Sequence, residues 1–461
     1  MIGKSRSRGV EESRRSRHPR PETQTPSPHH PITPSPPPEV VVRPPATDGE
    51  IAAFFQLAST TFIRDAPPAT AAADFRRFVH DAPGADPAAV RGAFHGDTYL
   101  GGYLIEERWL HIGPARLRTG CVGVVVVHPE HRGQGIGKAL MRDAFAHAQA
   151  RGQALLLLHG LADFYTPFGF ADVFDATEHA VQRADILTSA ASPYRVRPAT
   201  VNDAPALLDL YDRHYGPHPG SFARTVAQET FLLRFSASLD GDAYRQRDGL
   251  PFEPPIVAVD GDDRSRGYLI APWGPLRAFG SEVAADDWPA TLALLQHHAR
   301  LFDEFNVPVN EVRWPLPPDS LTASLLADNF LVECSATSRP WANWEGCLVD
   351  RLALMRGMLP AWTERWLRHA SPWSGKLVLI IDGVCGVVDL SPDGVTFAQE
   401  GEETDYAVSL TGRVIVPLLF GFRSVAWAAI QDGQRIPPAL LPVLEILFPP
   451  VTPWIAPTDG C

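Results

Sequence analysis

The sequence predicts an α/β protein of several domains, and three observations carry that expectation. Residues Cys121 to Leu158 run strand, glycine-rich turn, helix, strand. Short segments from around that unit return later in the chain, Val42-Arg43-Pro44 as Val196-Arg197-Pro198 and Gly102-Tyr103-Leu104-Ile105 as Gly267-Tyr268-Leu269-Ile270. Finally, 461 residues exceed what one ordinary core accommodates.

The chain opens on a basic, proline-rich stretch. Residues 1–45 hold eight Lys/Arg against four Asp/Glu and eleven prolines. Such a segment buries too little apolar surface to offset its ordering entropy, so a disordered tail is expected there. It has no apolar stretch of the kind a signal peptide needs. A helix is expected from Ile51 to Phe62, then a hairpin from Ala93 to Ile105.

The central unit follows. Cys121 to Val127 is a β-branched run that reads as a buried strand. His128-Pro129-Glu130-His131 makes a turn, and Arg132-Gly133-Gln134-Gly135-Ile136-Gly137-Lys138 leads into a helix. Ile136, Leu140, Met141, Ala144, Phe145 and Ala148 recur at helical spacing up to Arg151-Gly152, a basic last turn and a glycine stop. Leu155 to Leu158 begins the next strand. Glycines let the backbone approach a ligand closely, and the first turn of a helix leaves N–H groups free for an anion. The turn reads as a pyrophosphate seat.

Three phosphate-binding patterns compete for this turn. The P-loop requires a hydroxyl after Gly-Lys, but Ala139 follows Lys138. The dinucleotide fingerprint G-x-G-x-x-G does not match the G-x-G-x-G of Gly133, Gly135 and Gly137. The third pattern, Arg-x-x-Gly-x-Gly after a valine strand, resembles the acyl-CoA loop of the GNAT superfamily of N-acetyltransferases. Tyr165-Thr166-Pro167-Phe168-Gly169-Phe170 is similar to a Tyr-x-x-Phe-Gly-Phe segment often found at this place in that superfamily.

Residues 191–343 are expected to repeat the fold without its chemistry. Where the loop should fall, Ser281 to Asp287 offers no glycine turn and three acids that would repel a phosphate. The expected divisions are a tail over 1–45, a first domain over 46–190, its degenerate copy over 191–343 and a third domain over 344–461. In the third, strands at Gly375–Gly383, Gly386–Leu390 and Ala407–Thr411 precede helical patterns, an order that resembles the sterol-carrier-protein fold. The three parts together resemble the enhanced intracellular survival (Eis) acetyltransferases, over roughly residues 40–461.

The resemblance implies an α/β (α+β) architecture of tandem GNAT folds and a sterol-carrier-like domain. It also implies transfer of an acetyl group from acetyl-CoA to a primary amine. On that reading the backbone of Val125, Val126 and Val127 takes the pantetheine arm by strand-like pairing. Arg132, Gly133, Gln134, Gly135, Ile136, Gly137 and Lys138 hold the pyrophosphate, while Gly160 and Leu161 add a further contact. Tyr165 is the implied general acid, a phenol with pKa near 10 protonating the leaving thiolate. The implied base is the C-terminal carboxylate of Cys461, which stands where the family usually has an aromatic residue. Glu130, His128 and His131 are the nearby alternatives.

Net charge is −12, and the acid excess lies outside the basic tail. An acidic body suits a small cationic amine, polyamine- or aminoglycoside-like, or a protein lysine, and disfavours nucleic acid. The five cysteines, 121, 334, 347, 385 and 461, show no metal or CxxC spacing, which leads us to expect unpaired thiols, no metal and a cytoplasmic location. No apolar run reaches the length of a membrane span. A homo-oligomer, a hexamer by resemblance, is expected. The competing readings are a non-catalytic lipid carrier and a CoA-binding regulator.

Overall fold

The structure is a computed structural model that describes residues 40–62, 68–80, 82–161, 164–238, 254–270, 282–304, 306–338, 342–399 and 406–459. The expected tail lies outside them up to residue 39. Val41–Arg43, which the 45/46 boundary assigns to the tail, form an edge strand of the first sheet.

The first fold runs β1 (Val41–Arg43), α1 (Asp48–Phe62), α2 (Pro68–His80), β2 (Val90–His95), β3 (Thr98–Ile112), β4 (Ala115–Val127), α3 (Ile136–Ala150), β5 (Leu155–Leu161), β6 (Ala171–Asp172) and β7 (Ala176–Gln182). After a short helix, α4 (Arg183–Thr188), nearly the same order returns. It comprises β8 (Arg195–Pro198), α5 (Ala204–His214), α6 (Val226–Ser238), β9 (Ile256–Val259), β10 (Ser265–Ile270), β11 (Glu282–Ala285), α7 (Trp288–Glu304), β12 (Glu311–Trp314), α8 (Leu321–Asn329), β13 (Val332–Thr337) and β14 (Ala342–Leu348).

The sequence echoes sit at equivalent points and do equivalent work. Arg43 at the end of β1 forks onto Glu50, whose carboxylate accepts from the Ala46 amide ahead of α1. Arg197 at the end of β8 forks onto Asp203, which accepts from the Thr200 amide ahead of α5. In both copies one bidentate arginine–carboxylate pair ties an edge strand to the start of the next helix.

The two folds exchange their last strands. The first sheet has the order β1-β2-β3-β4-β5-β14-β6, so β14 from the second copy lies antiparallel to β5, from Ala342↔Leu161 to Leu348↔Leu155. Reciprocally, β7 lies between β12 and β13 in the second copy, whose other strands form a separate sheet β11-β10-β9-β8. Each copy therefore completes the hydrogen bonding of the other's central strands.

The third part comprises α9 (Arg351–His369), β15 (Gly375–Ile381), β16 (Val384–Ser391), β17 (Gly394–Ala398), β18 (Tyr406–Leu410), α10 (Gly412–Leu419), α11 (Val425–Gln431) and α12 (Leu441–Leu447). Its sheet has the order β17-β16-β15-β18, with β18 parallel to β15. Helix α9 buries Met355, Met358, Trp362 and Trp366 and crosses β4 closely. A Cβ at Gly357 would come within 2.6 Å of Leu117 Cδ2, so a larger residue there would make that leucine shift. A single apolar cluster joins β4, β5, α5, α9, α10 and the C-terminal segment around Trp454. Among the described residues, no helix is long and apolar enough to cross a membrane.

One expectation about cysteine is corrected. Cys334, Cys347 and Cys385 are free thiols, but Cys121 is disulfide-bonded. Spacing along a chain identifies only CxxC-type and metal-type patterns.

Candidate active site

The site begins where two strands part. β4 and β5 are parallel partners at Thr119↔Leu155, Gly120↔Leu156 and Cys121↔Leu157, and their pairing ends there. Beyond Cys121, β4 pairs with β3 alone, while Leu158 to Leu161 of β5 pair with β14. A bulge accompanies the parting: Ile105 faces Val122, but Leu104 faces Val124, leaving Gly123 as the extra residue. Bulges re-aim a strand, and this one lies at the mouth of the opening. The edge of β4 from Val122 to Val127 is thus left facing a wedge. Along it Val124 and Val126 are buried against α1 and α2, whereas Val125 and Val127 are partly buried on the α3 side.

The glycine loop sits at the wide end of this wedge. Gly133 and Gly135 have φ of +77° and +83°, a left-handed backbone that glycine adopts without a Cβ penalty. Gly135 caps α3, and the first helical hydrogen bond runs from the Ala139 amide to the Gly135 carbonyl. The amides of Ile136, Gly137 and Lys138 consequently have no acceptor within the helix. Gly137 is informative because its φ is not left-handed and a Cβ there would meet nothing within 4 Å. Its own fold does not require glycine, and open space lies before it. The residues therefore fit a bound pyrophosphate: three convergent amides, the positive end of a helix dipole, and an exposed Arg132 and Lys138 beside them.

Two expected ligands are placed differently from one another. Arg132 donates from Nε to the Val127 carbonyl at 3.3 Å, bridging the loop to the end of β4. The Ile136 side chain is in the core, so only its backbone faces the loop. Helix α3 is locked in position by Asp143, which accepts from Arg91 at 2.9 Å and from the Tyr103 hydroxyl at 2.7 Å.

On the β5 side, Tyr165 lies against Gly160. A Cβ at Gly160 would fall 2.6 Å from two atoms of the ring, so glycine there is what lets the phenol lie on the strand. Phe164 and Phe170 meet the same ring edge-on, with centroids 4.8 and 5.7 Å away. Burial, with a smaller contribution from the Glu345 carboxylate, pushes the Tyr165 hydroxyl up to about 12. At neutral pH it is a neutral hydrogen-bond donor. The backbones of Gly160 and Leu161 pair with Asn343 and Ala342 of β14.

On the β3 side, a cavity of about 290 Å³ opens beside the point of divergence. Ile105 and Glu106, opposite Val122 and Cys121, line it together with Arg224 and Glu229 around α6 and with Thr458 and Asp459 from the C-terminal segment. Cys461 lies outside the described residues. The segment leading to it is firmly seated: the Trp454 amide donates to the Pro219 carbonyl, and Asp459 accepts from Tyr211 and from Arg224. Sequence reading missed the Arg224, Glu229, Glu282 and Asp459 cluster. Glu282, read as an acid at a lost phosphate loop, is fully buried and accepts from Arg224 at 3.0 and 2.8 Å and from Tyr268 at 2.6 Å. Asp287 fits the original reading better, because it caps α7 by accepting from the Ala290 amide and so fills the anion position itself. Among the described residues, no group of three or more His, Cys, Asp and Glu side chains could hold a metal ion.

Residues 43–173 match the model of the acetyltransferase (GNAT) domain family. No curated protein matches the chain in sequence. Among solved structures, the GCN5-related N-acetyltransferase from Anabaena variabilis superposes with a TM-score of 0.63 at 14% identity, covering 91% of this chain and 99% of that one. The corresponding protein from Kribbella flavida gives 0.61 at 18% identity, over 91% and 98%. Eis1 from Mycobacterium abscessus gives 0.57 at 16% identity, over 90% and 99%. These likenesses establish the fold along nearly the whole chain. The parted strands, the glycine loop and the matched segment place an acetyltransferase (GNAT) domain at residues 43–173, and the chain is an acyltransferase enzyme.

Proposed function

We propose that the protein transfers an acetyl group from acetyl-CoA to a primary amine of a small polyamine- or aminoglycoside-like acceptor, or of a protein lysine, by direct attack in a ternary complex. The observation that carries this reading is the parting of β4 from β5 with the glycine loop at its end, and an acid-lined cavity lies across β3, whose Ile105 and Glu106 pair with Val122 and Cys121. The wedge with its glycine loop suits the thioester and its pyrophosphate, and the acid-lined cavity suits a cation. On this reading the loop from Arg132 to Lys138 holds the pyrophosphate, and the exposed edge at Val125 to Val127 pairs with the pantetheine arm.

Tyr165 serves the leaving group. A hydroxyl near 12 is a weaker acid than a thiol near 8.5, so full proton transfer to a free thiolate would be uphill. Its contribution is a hydrogen bond to sulfur as the C–S bond breaks; CoA leaves as the thiolate, Tyr165 keeps its proton, and the sulfur takes its proton from solvent. In the net reaction the amine nitrogen loses one proton and the sulfur gains one. The carboxylate of Cys461 is the proposed acceptor of the amine proton. What supports it is that Thr458 and Asp459 line the cavity three and two residues earlier.

The third part resembles a sterol-carrier fold and, on this reading, serves to carry that final segment to the site. A cytoplasmic homo-oligomer completes the proposal. The test is free-thiol release from acetyl-CoA with a panel of polyamines, aminoglycosides and lysine peptides. Amine-dependent release is expected. Tight acetyl-CoA binding without release for any amine would move the assignment to a CoA-binding regulator.

A further inference from the structure

Most of the cavity acids have a close ion-pair partner. Glu106 pairs with Arg108, Glu107 with Arg118 and Arg151, and Asp86 with Arg151. Deeper in, one guanidinium serves three carboxylates. Arg224 gives two hydrogen bonds to Glu282 and one, at 3.0 Å, to Asp459. Tyr268 and Thr458 also donate to Glu282, and Tyr211 donates to Asp459. Glu229 receives only a long contact of 3.3 Å from Arg224 to Oε1. Its Oε2 is buried and, among the described residues, has no hydrogen-bond partner, although the side chain is 3% exposed and lines the cavity.

A buried carboxylate with an unmet oxygen beside a cavity is an expensive arrangement unless a ligand completes it. The arithmetic of charge points the same way, since three acids around one base leave a local surplus of negative charge. The geometry of the vacancy selects among cations. With Oε1 engaged by Arg224, a single oxygen remains, which cannot grip a guanidinium in the bidentate manner. One oxygen also falls short of the several ligands a divalent metal requires. It suits an alkylammonium, which makes single-point contacts through three rotatable donors.

We propose that Glu229, supplied by the second fold, binds a second ammonium group of the acceptor and so makes the enzyme selective for di- and polyamines over monoamines. This rests on the transferase reading above and assigns a specificity-determining residue to the copy that has lost the phosphate loop. The reacting amine sits at the parted strands, and the distal charge is held at α6.

The experiment compares spermidine with butylamine as acceptors for the full-length wild type and for E229Q, which keeps size and shape. The ratio of kcat/KM for spermidine to that for butylamine is expected to fall at least tenfold in E229Q, through KM for spermidine, with KM for acetyl-CoA within twofold. An unchanged ratio overturns the proposal. If the wild type acetylates neither amine, the transferase reading is decided by the wider amine panel, and calorimetric titration of spermidine decides the present one. Binding by the wild type that is lost in E229Q supports it; equal binding, or none to the wild type, overturns it.

Discussion

Gly137→Ala separates what the loop does for the fold from what it does for a ligand. Gly137 lies in the first turn of α3, at a φ outside the left-handed region. An added methyl would meet no protein atom within 4 Å. Alanine there relieves glycine's excess backbone entropy, so the helix gains up to about 1 kcal/mol. The same methyl projects into the space before the free amides of Ile136, Gly137 and Lys138. Losing one charge-assisted hydrogen bond to a phosphate costs about 1.5–3 kcal/mol, which is a factor on the order of 10 to 100 in affinity. Scanning fluorimetry and calorimetric titration of acetyl-CoA are the assays. The variant is expected to melt no lower than wild type while binding acetyl-CoA at least tenfold more weakly. Gly135→Ala is the contrast, because φ of +83° strains any side chain and both stability and binding should fall. Unchanged acetyl-CoA affinity in a folded Gly137→Ala protein would refute the placement of the pyrophosphate.

Three other expectations follow from the same geometry. Tyr165→Phe should lower kcat about 100-fold, as loss of a positioned hydrogen-bond donor does, with the dissociation constant of acetyl-CoA within twofold; unchanged turnover would remove Tyr165 from the mechanism. Burial, opposed by Arg224 and reinforced by Glu282 and Asp459, raises the folded Glu229 carboxyl from 4.5 to about 7. The native state thus holds a proton that the unfolded chain releases, so this contribution to stability is present below about pH 4.5 and is lost as pH rises towards 7. Denaturation at pH 8 should accordingly find E229Q more stable than wild type, by roughly 3 kcal/mol, with the gap closing in acid; a less stable E229Q at pH 8 would contradict it. Arg224→Met leaves Glu282 and Asp459 buried without their cation and should destabilise by about 3–5 kcal/mol in urea melts, while a loss under 1 kcal/mol would mean the cluster is hydrated.

Much of the fold was legible because its signals are local. The valine run, the glycine loop and the spacing of Ile136, Leu140, Met141 and Ala144 specify strand, turn and helix from neighbouring residues alone. The repeat was legible through Arg43 and Arg197, since each performs the same capping task in its copy. The strand exchange was not. β7 and β14 are ordinary short strands, and nothing in either sequence says which sheet will accept it, because pairing partners are chosen by the tertiary arrangement. The acid-lined cavity was illegible for a related reason: its acids come from the segment after α2, β3, α6 and the last residues of the described chain, and only the packed fold brings them together. Arg224 and Glu282, read singly, are unremarkable surface-type residues.

The duplicated fold thereby divides its labour along the line where the two copies differ. In the first copy the helix after the fourth strand keeps its N-terminus bare behind Gly133 and Gly135, available to an outside anion. In the second, Asp287 satisfies the Ala290 amide at the start of α7, and Tyr194 and Arg266 hold that carboxylate in turn. A helix start that supplies its own carboxylate has that amide already satisfied. Its preceding strand is then free to carry Glu282, an acid that would sit badly beside a diphosphate but that anchors Arg224 within reach of Glu229 and Asp459. Loss of the phosphate seat and gain of a cation-seeking cluster are thus one change in charge, viewed from the two ends of β11. The exchanged strands keep the copies together, and on the proposed reading an anion seat on one and a cation seat on the other serve a single reaction between an acyl thioester and an amine.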